Sequence, residues 1–147
     1  MFLGVLLGLS FIARVVSVSE GDTIAVVNAG RTENVRLHGI DCPEPNQPFG
    51  SQAKKAISDL ILGKDVVVEI KGKDRYGRTL GKVSLNGKDI ELELVKRGMA
   101  WHFKRHSSEQ ALAEAEAAAR TAGRGLWSDK DAIPPWDWRR GAGRRGR

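Results

Sequence analysis

The order in which hydrophobic periods change along this chain restricts its architecture more than any other feature. Phe11 to Val18 and Thr23 to Val27 are rich in Val and Ile, with Glu20-Gly21-Asp22 as the turn between them. Val35-Arg36-Leu37-His38 alternates apolar and polar residues. A run with three prolines, Asp41 to Pro48, reads as an irregular loop. Ala53, Ala56, Ile57, Leu60 and Ile61 then recur at helical spacing, and Gly63 closes that helix. Val66 to Ile70 and Leu80 to Leu85 return to strand character around the turn Asp74-Arg75-Tyr76-Gly77-Arg78. Two helices follow, Ile90 to Met99 and Ser108 to Ala122, the second with Ser107 and Gln110 as a capping box. Strands, helix, strands and two helices, without βαβ alternation or repeats, predict an α+β fold: a five-stranded antiparallel barrel of the OB type with about three helices.

Composition removes several classes. At 147 residues, 41% hydrophobic and 29% charged, the chain can bury a core and is not of disordered composition. Its single cysteine, Cys42, excludes an intrachain disulfide and a multi-thiolate zinc site. The apolar run Met1 to Ala13 is short of the roughly 20 residues that span a bilayer, which excludes a multi-pass membrane protein. It is similar to the apolar core of an export signal, without a basic region before it. The division predicted is 1–10 as an apolar segment (signal or tether), 11–138 as the folded domain and 139–147 as a basic tail, in a secreted or periplasmic, monomeric protein.

Lys and Arg number 24 against 18 Asp and Glu, yet five arginines (Arg139, Arg140, Arg144, Arg145 and Arg147) fall in the last nine residues. The net charge therefore belongs mostly to the tail. Two readings stand: a Gly-spaced arm that holds phosphates, and a solubilising end.

Asp22, Asp41 and Glu44 lie in turns or loops, with Arg36 and Arg78 beside them. Each motif alone has a structural reading: a hairpin at Gly21-Asp22-Thr23, an Asx turn at Asp41, a snorkelling Arg36 and a hairpin at Tyr76-Gly77-Arg78. Together they supply two hard carboxylate ligands, a spare carboxylate that can deprotonate water and two guanidiniums that can clamp phosphate oxygens. These are the parts for metal-assisted phosphodiester hydrolysis.

The ordered motifs Gly21-Asp22-Thr23, Val35-Arg36-Leu37, Ile40-Asp41-Cys42-Pro43-Glu44, Asp74-Arg75-Tyr76-Gly77-Arg78, Leu94 to Ala100 and Gly125-Leu126-Trp127-Ser128 resemble the staphylococcal (micrococcal) thermonuclease family over Phe11 to Trp127. The resemblance implies a calcium-dependent endonuclease acting on DNA and RNA and leaving 3′-phosphates. It implies Asp22, Asp41 and the backbone carbonyl of Cys42 as Ca²⁺ ligands, Glu44 as general base, and Arg36 and Arg78 as transition-state arginines. Arg75 and Tyr76 match residues that meet a terminal phosphate.

Three departures stand out. Cys42 replaces a threonine, the loop after Glu44 is shorter, and Trp101-His102-Phe103-Lys104 stands where the family has two base-stacking tyrosines. Trp101 and Phe103 can stack on bases or pack beneath the last helix. His38, His102 and His106 read as structural, as does Trp127, and Pro134 to Trp138 reads as a rigid arm against the barrel. The other class of function is an inactive binding module on the same barrel; the complete catalytic set favours the enzyme.

Overall fold

The computed structural model describes residues 9–143. Strands β1 (Ser10–Glu20), β2 (Thr23–Asn28) and β3 (Arg31–Leu37) form an antiparallel meander, after which a short β4 (Ile40–Asp41) leads into the proline-rich loop. Helix α1 (Gly50–Ile61) crosses to β5 (Asp65–Lys73) and β6 (Thr79–Leu85). β7 (Lys88–Asp89), α2 (Ile90–Lys96), β8 (Trp101–His102), α3 (Gln110–Ala122), a 3₁₀ turn (Gly125–Ser128) and α4 (Pro135–Trp138) complete the order.

The barrel runs β3-β2-β1-β5-β6 and closes through β3 against β6. That closing pair is parallel, with Val35, Arg36 and Leu37 opposite Thr79, Leu80 and Gly81. The expected all-antiparallel barrel is thus a mixed one, because α1 and β5 carry the chain back before β6 meets β3. Gly81 permits the closure: a Cβ there would meet Val68 Cγ1 at 2.6 Å.

Alternate residues (Ala13 and Val15, Ile24 and Val26, Val35 and Leu37, Val66 and Val68) point inward and are buried. Ile57, Ile61, Leu94 and Leu112 seal the barrel from the helices. Each such side chain contributes roughly 1.5–3 kcal/mol of transfer free energy. No helix among the described residues is long and apolar enough to cross a membrane. Most of the apolar 1–10 segment lies outside the described residues, although β1 begins at Ser10.

The helix ends differ from expectation. α2 stops at Lys96 and is capped by Asp89, whose side chain accepts from the Leu92 N–H at 2.9 Å. α3 begins at Gln110, not Ser108, and the capping box is absent. Ser107 Oγ instead accepts from the Glu109 N–H at 3.2 Å and pairs with His102 Nε2 at 3.1 Å.

Candidate active site

One end of the barrel gathers the turn after β1, the end of β3 and the short β4. The Leu37 N–H donates to the Asp22 carbonyl at 2.8 Å, and Asp41 pairs with Trp101 across β4 and β8. Gly21 packs so closely here that a Cβ would meet Ala53 Cβ at 2.8 Å and Cys42 Sγ at 3.0 Å. Asp22 is therefore held at a fixed depth, and its Oδ2 accepts from the Cys42 N–H at 2.7 Å.

Arg36 organises the carboxylates. Its Nη1 donates to the carbonyls of Leu37 (2.8 Å) and Ile40 (3.0 Å), and its Nη2 lies 3.3 Å from Asp41 Oδ1 and 3.5 Å from Asp22 Oδ2. Burial opposes its charge, but Asp22 and Asp41 outweigh burial and raise its pKa. Asp41 is only 1% exposed. Burial, with Asp22 adding to it, raises the Asp41 pKa despite the arginine contacts.

Glu44 sits at the groove edge in a loop fastened by Gln47: the Glu44 N–H donates to Gln47 Oε1 at 3.0 Å. The Glu44 carbonyl also seats the start of α1, where a side chain at Gly50 would collide with it. Glu20, a residue the sequence reading passed over, lines the same groove; burial first, then Asp22 and Glu44, push its pKa up to about 7. Its place beside Gly21-Asp22 was the available signal.

Arg78 approaches from the β5–β6 turn, where Asp74 accepts from Arg78 Nε at 2.6 Å and from the backbone N–H groups of Tyr76 and Arg78 at 2.9 Å. Asp74, four residues before Arg78, is a second group the sequence reading missed. Tyr76 is 74% exposed, with the Arg75 and Arg78 guanidiniums 5.8 and 5.5 Å from its ring centre.

An open groove of about 690 Å³ joins these groups: Asp22, Arg36, Asp41, Glu44, Arg75, Tyr76, Arg78 and Phe103 all line it. Trp101 does not. It is 7% exposed, edge-on to Trp127 and Trp136, with Arg120 over its ring. Phe103 is half-buried and stacked on Trp136 at 5.4 Å. Of the two aromatics, only Phe103 faces the groove.

Cys42 is buried, and burial, with Asp22 adding, holds its thiol pKa well above the usual value, which disfavours a thiolate nucleophile. Arg139, assigned above to the tail, instead reaches Asp41 at 2.8 Å and Glu44 at 3.5 Å. Arg144, Arg145 and Arg147 lie outside the described residues.

A family model described as staphylococcal nuclease homologue matches residues 34–129. The chain belongs to the staphylococcal nuclease family. An uncharacterized endonuclease of Haemophilus influenzae is 45% identical over 128 residues, covering 86% of this chain and 72% of that protein. Protein ParB of Escherichia coli is 37% identical over 143 residues, 90% of this chain and 81% of ParB. A probable staphylococcal-like nuclease, CAN2, of Oryza sativa is 36% identical over 127 residues, 86% of this chain and 33% of CAN2. Membership of the staphylococcal nuclease family and these relatives support a nuclease, hence hydrolase, function.

Proposed function

We propose that the protein is a calcium-dependent endonuclease that hydrolyses phosphodiester bonds of DNA and RNA without strong sugar specificity, leaving 3′-phosphates. The observation that carries this reading is the convergence of Asp22 and Asp41 on Arg36, with Glu44 and Arg78 on the same groove.

The donor set fits a hard divalent cation. Two carboxylates lie within reach of one guanidinium nitrogen, and a second guanidinium, that of Arg139, occupies Asp41 and Glu44 where positive charge is favoured. Asp22, Asp41 and the Cys42 carbonyl would hold the ion. Among the described residues no group of three or more His, Cys, Asp or Glu is placed to hold a metal ion, so beyond two carboxylates and a carbonyl, waters would have to fill the positions that calcium demands. When bound, calcium would supply the positive charge that polarises the phosphate.

Glu44 accepts the proton of the attacking water as general base. Arg36 and Arg78 donate to non-bridging phosphate oxygens, and their hydrogen bonds strengthen as negative charge builds in the transition state. Asp74 keeps Arg78 in place for that task. Arg75, Tyr76 and Phe103 hold the strand through phosphate contact and sequence-tolerant stacking.

The test incubates the purified chain with single-stranded DNA, duplex DNA and RNA, with Ca²⁺, Mg²⁺ or excess chelator, and maps the product ends. Cleavage in Ca²⁺ to 3′-phosphate ends supports the reading. Undiminished cleavage in chelator, or 5′-phosphate products, overturns it.

A further inference from the structure

Arg139 closes α4, its N–H donating to the Pro135 carbonyl at 3.0 Å. Its root is fixed. Trp138 beside it is 2% exposed and donates through Nε1 to Asn46 Oδ1 at 3.2 Å, while Trp136 stacks on Phe103. The Arg139 side chain is 42% exposed. Nη2 donates to Asp41 Oδ2 at 2.8 Å, and Nη1 lies 3.3 Å from Asp41 Oδ1 and 3.5 Å from Glu44 Oε2.

These contacts conflict with the roles proposed above for the same oxygens. An Asp41 oxygen that accepts from a guanidinium is a poorer ligand for a cation, and a Glu44 oxygen facing Arg139 is less open to a water molecule. A buried arginine in that position would be a permanent latch. A half-exposed one on a fixed root can turn away while the backbone of α4 stays in place. The groove it would turn into is lined by Arg75, Arg78, Arg105 and Arg140, so a polyanion is the partner whose charge suits it.

We propose that Arg139 is a substrate-phosphate-binding residue that leaves Asp41 and Glu44 when a divalent cation takes those carboxylates, and then binds a phosphate oxygen of the nucleic acid. The inference rests on the nuclease reading and adds to Arg36, Arg75 and Arg78 a fourth guanidinium, supplied from 98 residues beyond Asp41. Because Arg139 and the cation compete for Asp41, the phosphate that draws Arg139 away strengthens cation binding, and the cation strengthens phosphate binding by the same factor.

The 147-residue chain is compared with Arg139→Gln and Arg139→Lys, with Lys55→Gln, an exposed position of α1 outside the groove, as control. Calorimetric titration with Ca²⁺ alone should show Arg139→Gln binding the ion about tenfold more tightly, since a competing charge-assisted hydrogen bond is gone. In saturating Ca²⁺ the same variant should raise KM about tenfold with kcat within about threefold, as loss of uniform binding does. Its log–log salt slope on duplex DNA should flatten by about 0.9, one phosphate contact. Arg139→Lys should fall between the two.

Unchanged Ca²⁺ affinity together with unchanged KM and salt slope would overturn the proposal and make Arg139 a latch. Loss of the cooperative melt in Arg139→Gln, with Arg139→Lys like the parent throughout, would overturn it in the same way. A parent chain inactive on every substrate in Ca²⁺ defeats the nuclease reading instead, while the calorimetric comparison still decides whether Arg139 competes with a cation.

Discussion

Gln47 donates through Nε2 to the Ile133 carbonyl at 2.6 Å, joining the loop that carries Glu44 to a segment 86 residues further along the chain. The same side chain accepts from the Glu44 N–H through Oε1. One buried amide therefore transmits the position of the C-terminal segment to the proposed base. Gln47→Ala removes both bonds, at about 1 kcal/mol or more each. The expected result is a tenfold or greater fall in kcat with KM changed by less than threefold, since a base 1 Å out of place costs on the order of 10²-fold. Steady-state kinetics measure both, and an unchanged kcat would show that the loop holds Glu44 without Gln47.

The turn around Gly21 gives a contrast between two neighbouring substitutions. Cys42→Thr leaves the backbone carbonyl in place, so Ca²⁺-dependent activity should persist within a few-fold. Gly21→Ala drives a methyl against Ala53 and Cys42, and it should lower stability by about 1–3 kcal/mol, as overpacking does. Thermal melts and calcium titrations of the two variants test this; equal behaviour would contradict the packing argument.

Phe103 and Trp101 should separate by readout. Phe103 lines the groove, so Phe103→Ala should weaken single-stranded DNA binding by about 1–3 kcal/mol, the worth of one base stack. Trp101 is buried among Trp127, Trp136 and Arg120, so Trp101→Ala should chiefly lower the melting temperature, with a cost of about 3–5 kcal/mol. The reverse pattern would return Trp101 to the substrate face.

Glu91 provides a pH signature distant from the proposed catalysis. Both its carboxylate oxygens lie 3.1 Å from the Val83 N–H, and burial, opposed in part by Lys82, pushes its pKa from 4.5 to about 8. The folded state thus holds a proton that the unfolded chain releases above pH 4.5. Its stabilising effect is full below pH 4.5 and is lost as pH rises through about 8. Glu91→Gln should flatten the decline in stability across that window by at most about 1.4 kcal/mol per pH unit. Denaturant unfolding of both proteins in chelator, at several pH values from 5 to 9, measures this; parallel profiles would contradict it.

The barrel strands were legible where one face is apolar, as in Val15, Ile24, Val35 and Val83. The first half of β3 was not, because Arg31, Thr32 and Asn34 are polar and exposed. Their strand conformation comes from pairing with β2 through a two-residue turn in which Ala29 has φ 51° and Gly30 φ 78°. Alanine at positive φ carries no turn signal in a sequence. Asp22, Arg36, Asp41, Glu44 and Arg78, the residues proposed for the chemistry, each stand in a short motif of the sequence, and the fold brings them to one groove. Arg139 was hidden by its glycine-rich neighbourhood, which made 139–147 read as a detached arm. Its position follows from burial of Trp138, a long-range contact that local pattern does not encode.

The most direct measurement is kcat for Glu44→Gln beside the parent chain, in saturating Ca²⁺ on single-stranded DNA, with melting curves to confirm that both are folded. Gln keeps the size of the side chain and cannot take a proton from water. A fall on the order of 10²-fold or more at similar KM is the expected result for loss of a positioned general base. Turnover close to that of the parent would contradict the assignment of Glu44 and the mechanism built on it.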